Sequence, residues 1–260
     1  MIEISSLSFS YSKGLPLVLD HLSLTIQKGE WVTLMGANGS GKSTLALLVL
    51  GLLNGAEGSI RVDGLNPFDP KEVWEVRRKV GIVFQNPDTQ MVSSVVEREI
   101  AFGPENYGME RSQMLDAVAG SMDRFHLTQY RKSSPHELSG GERQRVALAS
   151  GTVMDGDYLL LDEPTSLLDP IGRREFLEYL QQLRTTKGIL HITTFSKEAL
   201  LSDRLVILHQ GRIVADGKPL DIFVSDAPLW DRGVDVPLEA EIHRLNAVFP
   251  PTIYPPTGGL

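Results

Sequence analysis

The sequence predicts an α/β fold with a parallel sheet at its centre, and three observations carry that prediction. Beyond the opening stretch, short continuous apolar runs (KVGIVF, YLLLD and GILHI) recur along the chain, as strands buried on both faces do. Stretches of helical period separate the later runs, the alternation expected of βαβ units. The residues able to do chemistry fall at the ends of those runs or at helix starts, where open α/β sheets bind ligands.

Taken in order, the chain opens with Ile2, Ile4 and Leu7, then Leu22, Leu24 and Ile26 at every second position, the pattern of half-buried strands. KGE makes a turn into Trp31–Met35, and Ser59–Gly64 reads as another strand, so the opening is expected to be β-rich and antiparallel. The run Leu45–Leu53 reads as a buried helix. Lys79–Phe84 reads as a buried strand, and Ser94 to about Phe125 as helix broken near Pro104 and Gly108. Ser139–Met154 reads as an amphipathic helix, Tyr158–Glu163 as a buried strand, and Pro170–Lys187 as a helix with proline near its first position. Gly188–Ile192 is the next buried strand. Arg204–Gly217 is a hairpin turning at Gln210-Gly211, and a short helix ends near Ser225. Six prolines follow Ala227, so 226–260 is expected to be a short extension with one helix, Leu238–Val248, and a loosely ordered tail.

Composition narrows the function. A net charge of −8 argues against a free-standing nucleic-acid binder, because no basic surface dominates to neutralise phosphates. The absence of cysteine excludes disulfides, zinc thiolate sites and thiol catalysis. No basic region followed by an apolar core opens the chain, so no signal peptide is expected, and no apolar run approaches a membrane-spanning length. His21, His136 and His209 have no partner at metal-ligand spacing.

Two motifs carry phosphate chemistry. Gly36–Thr44, GANGSGKST, fits G-x4-G-K-[ST] between a predicted strand and helix. Its residues Gly36, Asn38, Gly39, Ser40, Gly41, Lys42, Ser43 and Thr44 let the backbone wrap phosphate oxygens, while the amides and helix start favour anionic charge. Lys42 reaches the terminal phosphates, and Ser43 can ligate Mg²⁺. In YLLLDEPTS, an apolar strand ends at Asp162, placed to hold the Mg²⁺ shell, and Glu163, placed to orient or deprotonate the attacking water. Strand alternation puts their side chains on different faces.

LSGGERQR, Leu138–Arg145, decides the family: here the chain resembles the ABC ATPases, whose signature is LSGGQ or a close variant. The resemblance covers residues 1 to about 225. It implies a P-loop NTPase of ABC type with an antiparallel β subdomain and a helical subdomain inserted at about 87–155. It implies that two cassettes, alike or different, pair head to tail, so that Ser139, Gly140 and Gly141 of one face the ATP held by the other. Glu142 stands where glutamine is usual. Tyr11 matches the aromatic that stacks on adenine, Gln85 the Q-loop glutamine that touches Mg²⁺ or water, and Asp169 of SLLD the loop that crosses the dimer interface. The segment Phe84–Met109, with NPD-Q and AFGPEN, looks like the ATPases of energy-coupling factor transporters, which import vitamins or transition-metal ions. In that group the ATPase pair sits on the cytoplasmic face of the membrane. A transmembrane coupling protein docks beside the Q-loop, and a separate membrane subunit binds the cargo. The alternatives are a non-transport ABC ATPase and a weakly hydrolysing cassette acting as the regulatory half of a heterodimer.

The second alternative comes from one position. Ile192, Thr193, Glu198, Ala199, Asp203 and Arg204 match the family frame around its switch histidine without a gap, which puts Thr194 where that histidine stands. His191 does not substitute, because alternation turns it the other way and it lies about 10 Å back along the strand. Loss of one positioned donor predicts hydrolysis slower by about 10²–10³-fold.

Overall fold

The computed structural model describes residues 1–225 and 227–248. In chain order they form β1 (Ile2–Phe9), β2 (Leu19–Ile26), β3 (Trp31–Met35), α1 (Lys42–Val49), β4 (Glu57–Val62), α2 (Val73–Lys79), β5 (Val80–Val83), α3 (Pro87–Gln90), α4 (Val96–Asn106), α5 (Arg111–Arg124), α6 (Gly140–Thr152), β6 (Tyr158–Asp162), α7 (Pro170–Leu183), β7 (Gly188–Ile192), α8 (Ser196–Ala199), β8 (Arg204–His209), β9 (Arg212–Gly217), α9 (Pro219–Val224) and α10 (Leu238–Val248). The tail at 249–260, expected to be loosely ordered, lies outside the described residues.

Two sheets divide the work. An antiparallel sheet runs β2-β1-β4, and a six-stranded sheet runs β5-β6-β7-β3-β8-β9, parallel except for the last pair. One expectation is corrected here: β3 leaves the antiparallel opening and joins the parallel sheet. All five of its residues are buried, which suits a strand covered on both faces and not the half-buried alternation of β2. Helix α2 is not legible in the sequence, because only Val76 of its seven residues is buried and Trp74 is 63% exposed. Arg77 of that helix donates to the carbonyls of Leu50 and Gly51, satisfying the end of α1. Pro104 does not break α4; it sits inside its final turn, and the chain turns away at Gly108, φ 66°.

Apolar packing fills three regions. One lies between the antiparallel sheet, α1 and the near face of the parallel sheet, with Ile4, Leu24, Leu45, Leu160 and Val206. A second packs α4–α7 on the far face through Trp31, Ile100, Leu148, Leu161 and Phe176. The third joins Met35 and Ile207 to Phe223 of α9 and to Leu229, Val234 and Ala240 of the C-terminal segment.

Opposite the strand ends that carry the motifs, ion pairs hold the two sheets together. Tyr158 donates to Asp63 at 2.6 Å, and Lys28 and Lys79 each bridge Asp63 and Asp157 at 3.0–3.4 Å. Burial alone would raise the Asp63 carboxyl. The hydrogen bonds from the Met1 amine and Tyr158, with the nearby charges, outweigh it and hold Asp63 far below the usual range. A carboxyl depressed on folding contributes stability above its unfolded pKa, lost as pH falls toward its folded value. Asp63→Asn is therefore expected to cost roughly 1 kcal/mol at pH 7 and to flatten the fall in stability below about pH 4. Thermal unfolding of both chains from pH 7 to pH 3 checks it, and parallel curves would contradict it.

Candidate functional site

The strand order places three loops side by side. β7 lies between β6 and β3, with Asp162 paired to Ile192 and Leu34 paired to Ile192. The glycine loop after β3, the acidic loop after β6 and the threonines after β7 therefore leave one edge of the sheet together. A cleft of about 520 Å³ opens there, lined by Tyr11, Val18, Asn38, Gly39, Gly41, Lys42, Ser43, Thr44, Gln85 and Glu163.

The glycine loop is shaped by close approach. A Cβ on Gly36 would stand 2.0 Å from the Leu208 carbonyl oxygen, so only glycine lets the loop start against β8. Helix α1 has Gly41 as its N-cap, with no side-chain cap, and its first helical bond runs from Leu45 N–H to the Gly41 carbonyl. The first-turn amides are left for an anion. The buried Lys42 Nζ donates to the carbonyls of Gly36 at 2.8 Å and Ala37 at 3.0 Å. Burial pushes its ammonium down, while Glu163 and Asp162 pull it back up. Ser40 Oγ is buried and unpartnered.

Asp162 is 6% exposed, and burial pushes its carboxyl up against the pull of the Ser43 hydroxyl and the Lys42 charge. A desolvated carboxylate beside a hydroxyl at a phosphate-type loop suits a small hard cation with oxygen ligands, so Ser43 and Asp162 fit Mg²⁺. Glu163 is placed differently from expectation. The strand stops at Asp162, and Glu163 takes φ 48°, in the left-handed region, so strand alternation does not govern it. Its N–H donates to Ile192 O at 2.9 Å, and its carbonyl accepts from Ser166 Oγ at 3.0 Å. Tyr11 stands at the mouth of the cleft, 56% exposed, with its ring edge-on to Phe9 and its hydroxyl 2.9 Å from Thr44 Oγ1.

Gln85 lies on the cleft wall, and the NPD-Q segment behind it is a capped turn. Asn86 accepts from the Asp88 amide at 3.0 Å, with Pro87 at the first helical position of α3. Gln90 accepts from Phe84 N–H at 3.0 Å and donates to Ala147 O and Ser150 Oγ, while Arg143 pairs with Asp88 at 2.8 Å. The segment after Gln85 is thus fastened to α6.

Ser139, Gly140 and Gly141 do not line this cleft. Ser139 caps α6, and Glu142 completes a reciprocal capping box, its Oε2 accepting from Ser139 N–H at 2.8 Å and Oγ at 2.7 Å. Bonds from Tyr130 and Ser139 pull the Glu142 carboxyl down to about 2. Glutamate at this position therefore serves the helix start, a role an S-x-x-E spacing announces. Gly141 sits against Leu167, whose carbonyl oxygen would lie 3.3 Å from a Cβ there, and Asp169 caps α7 through the Gly172 amide at 2.7 Å. The signature and the SLLD loop are neighbours, with Leu167 and Ile171 exposed beside them.

Thr194 is also outside the cleft. It is exposed and lines a groove of about 750 Å³ with Arg173, Phe195, Lys197, Trp230 and Pro237. Thr193, by contrast, is buried and donates to Glu198 Oε2 at 2.6 Å. Glu198, 2% exposed, also accepts from Thr165 at 2.7 Å. His191 Nε2 lies 3.3 Å from the same carboxylate without hydrogen-bond alignment, and Trp31 packs on its ring. Burial would raise the Glu198 carboxyl, but His191, Thr193 and Thr165 outweigh it and lower it. This buried cluster ties the loop after Glu163 to the end of β7. In the sequence Thr193 and Glu198 stand out as members of the family frame around position 194, but nothing there joins them to His191 and Thr165.

The chain is similar to known proteins in sequence and in fold. Residues 19–166 match the ABC transporter family. The energy-coupling factor transporter ATP-binding protein EcfA1 of Latilactobacillus sakei is 44% identical over 256 residues, 96% of this chain and 91% of that protein. The structure of cbiO1 from Clostridium perfringens, described as part of the ABC transporter complex cbiONQ, superposes with a TM-score of 0.77 at 28% identity, over 96% of this chain and 95% of that one. A bacterial ABC transporter cassette solved as a dimer gives a TM-score of 0.77 at 26% identity, over 84% and 99% of the two chains.

Proposed function

The chain belongs to the ABC transporter ATP-binding family, in its energy-coupling factor group, and on that premise we propose that it is the ATP-hydrolysing motor of a membrane importer. The observation that carries the reading is the cleft in which Lys42, Ser43, Gln85 and Glu163 converge. The loop amides from Gly39 to Thr44 and the Lys42 ammonium bind the phosphates of ATP, and Tyr11 stacks on its base. Glu163 orients the attacking water and accepts its proton. Mg²⁺ held by Ser43 and Asp162, with Gln85 close by, would neutralise phosphate charge.

The signature residues Ser139–Gly141 and Asp169 lie away from the cleft of their own chain, beside the exposed Leu167 and Ile171. This supports a second cassette, identical or a paralogue, whose cleft they complete. The capped turn after Gln85 is the surface on which a transmembrane coupling subunit docks at the cytoplasmic face of the membrane, with cargo bound by a separate membrane subunit. Among the described residues, no helix is long and apolar enough to cross a membrane. Transition-metal ions or vitamins are the proposed cargo class.

The test is affinity purification of the chain from membranes in its native host. It is expected to carry along a small set of integral membrane proteins and to hydrolyse ATP in their presence. Recovery with ribosomes or DNA would replace this reading with a non-transport ABC ATPase. Thr194 favours one variant of the proposal, in which this chain binds ATP normally, turns it over slowly alone, and serves as the regulatory half beside a hydrolysing paralogue.

A further inference from the structure

The C-terminal segment touches the phosphate loop directly. Beyond α9 the chain forms a short 3-10 turn at Trp230–Arg232, ending at Gly233 with φ 71°. The Arg232 carbonyl accepts from the amide of Ala37, the second residue of the glycine loop, at 2.9 Å. A Cβ on Gly233 would stand 2.7 Å from Ala37 Cα, 2.8 Å from its Cβ and 3.1 Å from its nitrogen. The carbonyl of the same residue, Ala37, takes the Lys42 ammonium at 3.0 Å. The start of the loop is therefore gripped by β8 at Gly36, by Lys42 from within, and by the C-terminal turn at Ala37.

The turn is itself well founded. Arg232 and Val234 N–H groups both return to the Leu229 carbonyl at 3.0 Å, and Gly233 N–H to Trp230 O at 3.0 Å. Leu229 and Val234 are 2% and 1% exposed, packed with Met35, which ends the strand that feeds the loop. A rigid support on one side of a loop lowers the ordering cost of binding on the other.

We infer that Gly233 is a positioning residue for nucleotide binding: the 230–233 turn fixes the Ala37 peptide, and ATP affinity depends on the C-terminal segment through that contact. The inference rests on the reading that the glycine loop binds ATP. It goes beyond that reading in making residues outside the family match part of the binding apparatus. Force applied to the C-terminal segment by any partner would reach the loop by this route.

The experiment uses the full chain and a fluorescent ATP analogue. Gly233→Ala combines left-handed strain with intrusion on Ala37. Gly108→Ala is its control, since Gly108 has φ 66° and no atom within 4 Å of the place a methyl would take, so it bears the strain alone. Gly233→Ala is expected to weaken nucleotide binding about tenfold or more and to raise the KM for ATP while kcat is kept, whereas Gly108→Ala lowers only the melting temperature. Nucleotide affinity of Gly233→Ala within twofold of the parent's would overturn the inference. Should Gly233→Ala fail to fold, Leu229→Ala is compared with Ile222→Ala from the same apolar cluster. Weakened binding in the first alone supports the contact, and equal binding in the two overturns it. Lys42→Ala separates the two levels: if it binds ATP as the parent does, the loop is not the ATP site and both readings fall.

Discussion

Glu163→Gln is expected to reduce ATP turnover by about 10²–10⁴-fold while leaving ATP affinity within a few-fold of the parent chain. The substitution is nearly isosteric, and backbone contacts hold residue 163: its N–H donates to Ile192 O, and its carbonyl accepts from Ser166. Both survive the change, as does the backbone conformation, so what is removed is the acceptor for a proton. Phosphate release measured against fluorescent nucleotide titration separates the two effects. Retention of a tenth or more of the parent's turnover would remove Glu163 from the role of base. The variant also withdraws one of the two negative charges that oppose the depression of the Lys42 ammonium, so its phosphate grip should become more sensitive to alkaline pH than the parent's.

Thr194→His should have the opposite sign. If the site lacks one positioned donor toward the terminal phosphate, restoring an imidazole raises turnover by about 10²–10³-fold at unchanged ATP affinity. The position tolerates the larger side chain, because Thr194 is exposed on an open groove, and the buried bonds nearby belong to Thr193 and Glu198. The chain leaves β7 between the strands that carry the glycine loop and Asp162, which brings residue 194 to the same sheet edge as the cleft. Steady-state ATPase activity of the two purified chains decides the matter. Equal rates would mean that this chain does not use position 194 for hydrolysis, and the regulatory-half variant would lose its motive.

What can be read in advance follows from the range over which each feature is encoded. The glycine loop, the strand ending at Asp162 and the hairpin at Gln210-Gly211 are written in contiguous residues, and turn chemistry at that scale is specific; both hairpin residues do take positive φ. The parallel core is visible because strands covered on both faces are apolar throughout, as in the five buried residues of β6. The membership of β3 is hidden for a different reason. A strand's sequence states that it is buried but not which neighbour it pairs with, and β3 pairs with β7 and β8 from far along the chain. Helix α2 hides behind a polar sequence whose one buried valine sets no period. The Glu198 cluster and the contact between Ala37 and Gly233 are beyond reach altogether. Each joins residues whose proximity is a product of the completed fold, and a glutamate or glycine looks the same in sequence whether or not it acquires such a partner.

The backbone at Glu163 bears on how this chain can change over generations. At φ 48° glycine is carried without strain and asparagine or aspartate with little; glutamate or glutamine bears a cost of about 1–2 kcal/mol, and valine, isoleucine and threonine are resisted further by their own Cβ substituents. Mutational drift at this codon is therefore channelled. Lineages that give up hydrolysis can do so through glutamine, aspartate, asparagine or glycine and keep a folded, nucleotide-binding cassette, while β-branched replacements would be removed by selection on folding before their effect on catalysis mattered.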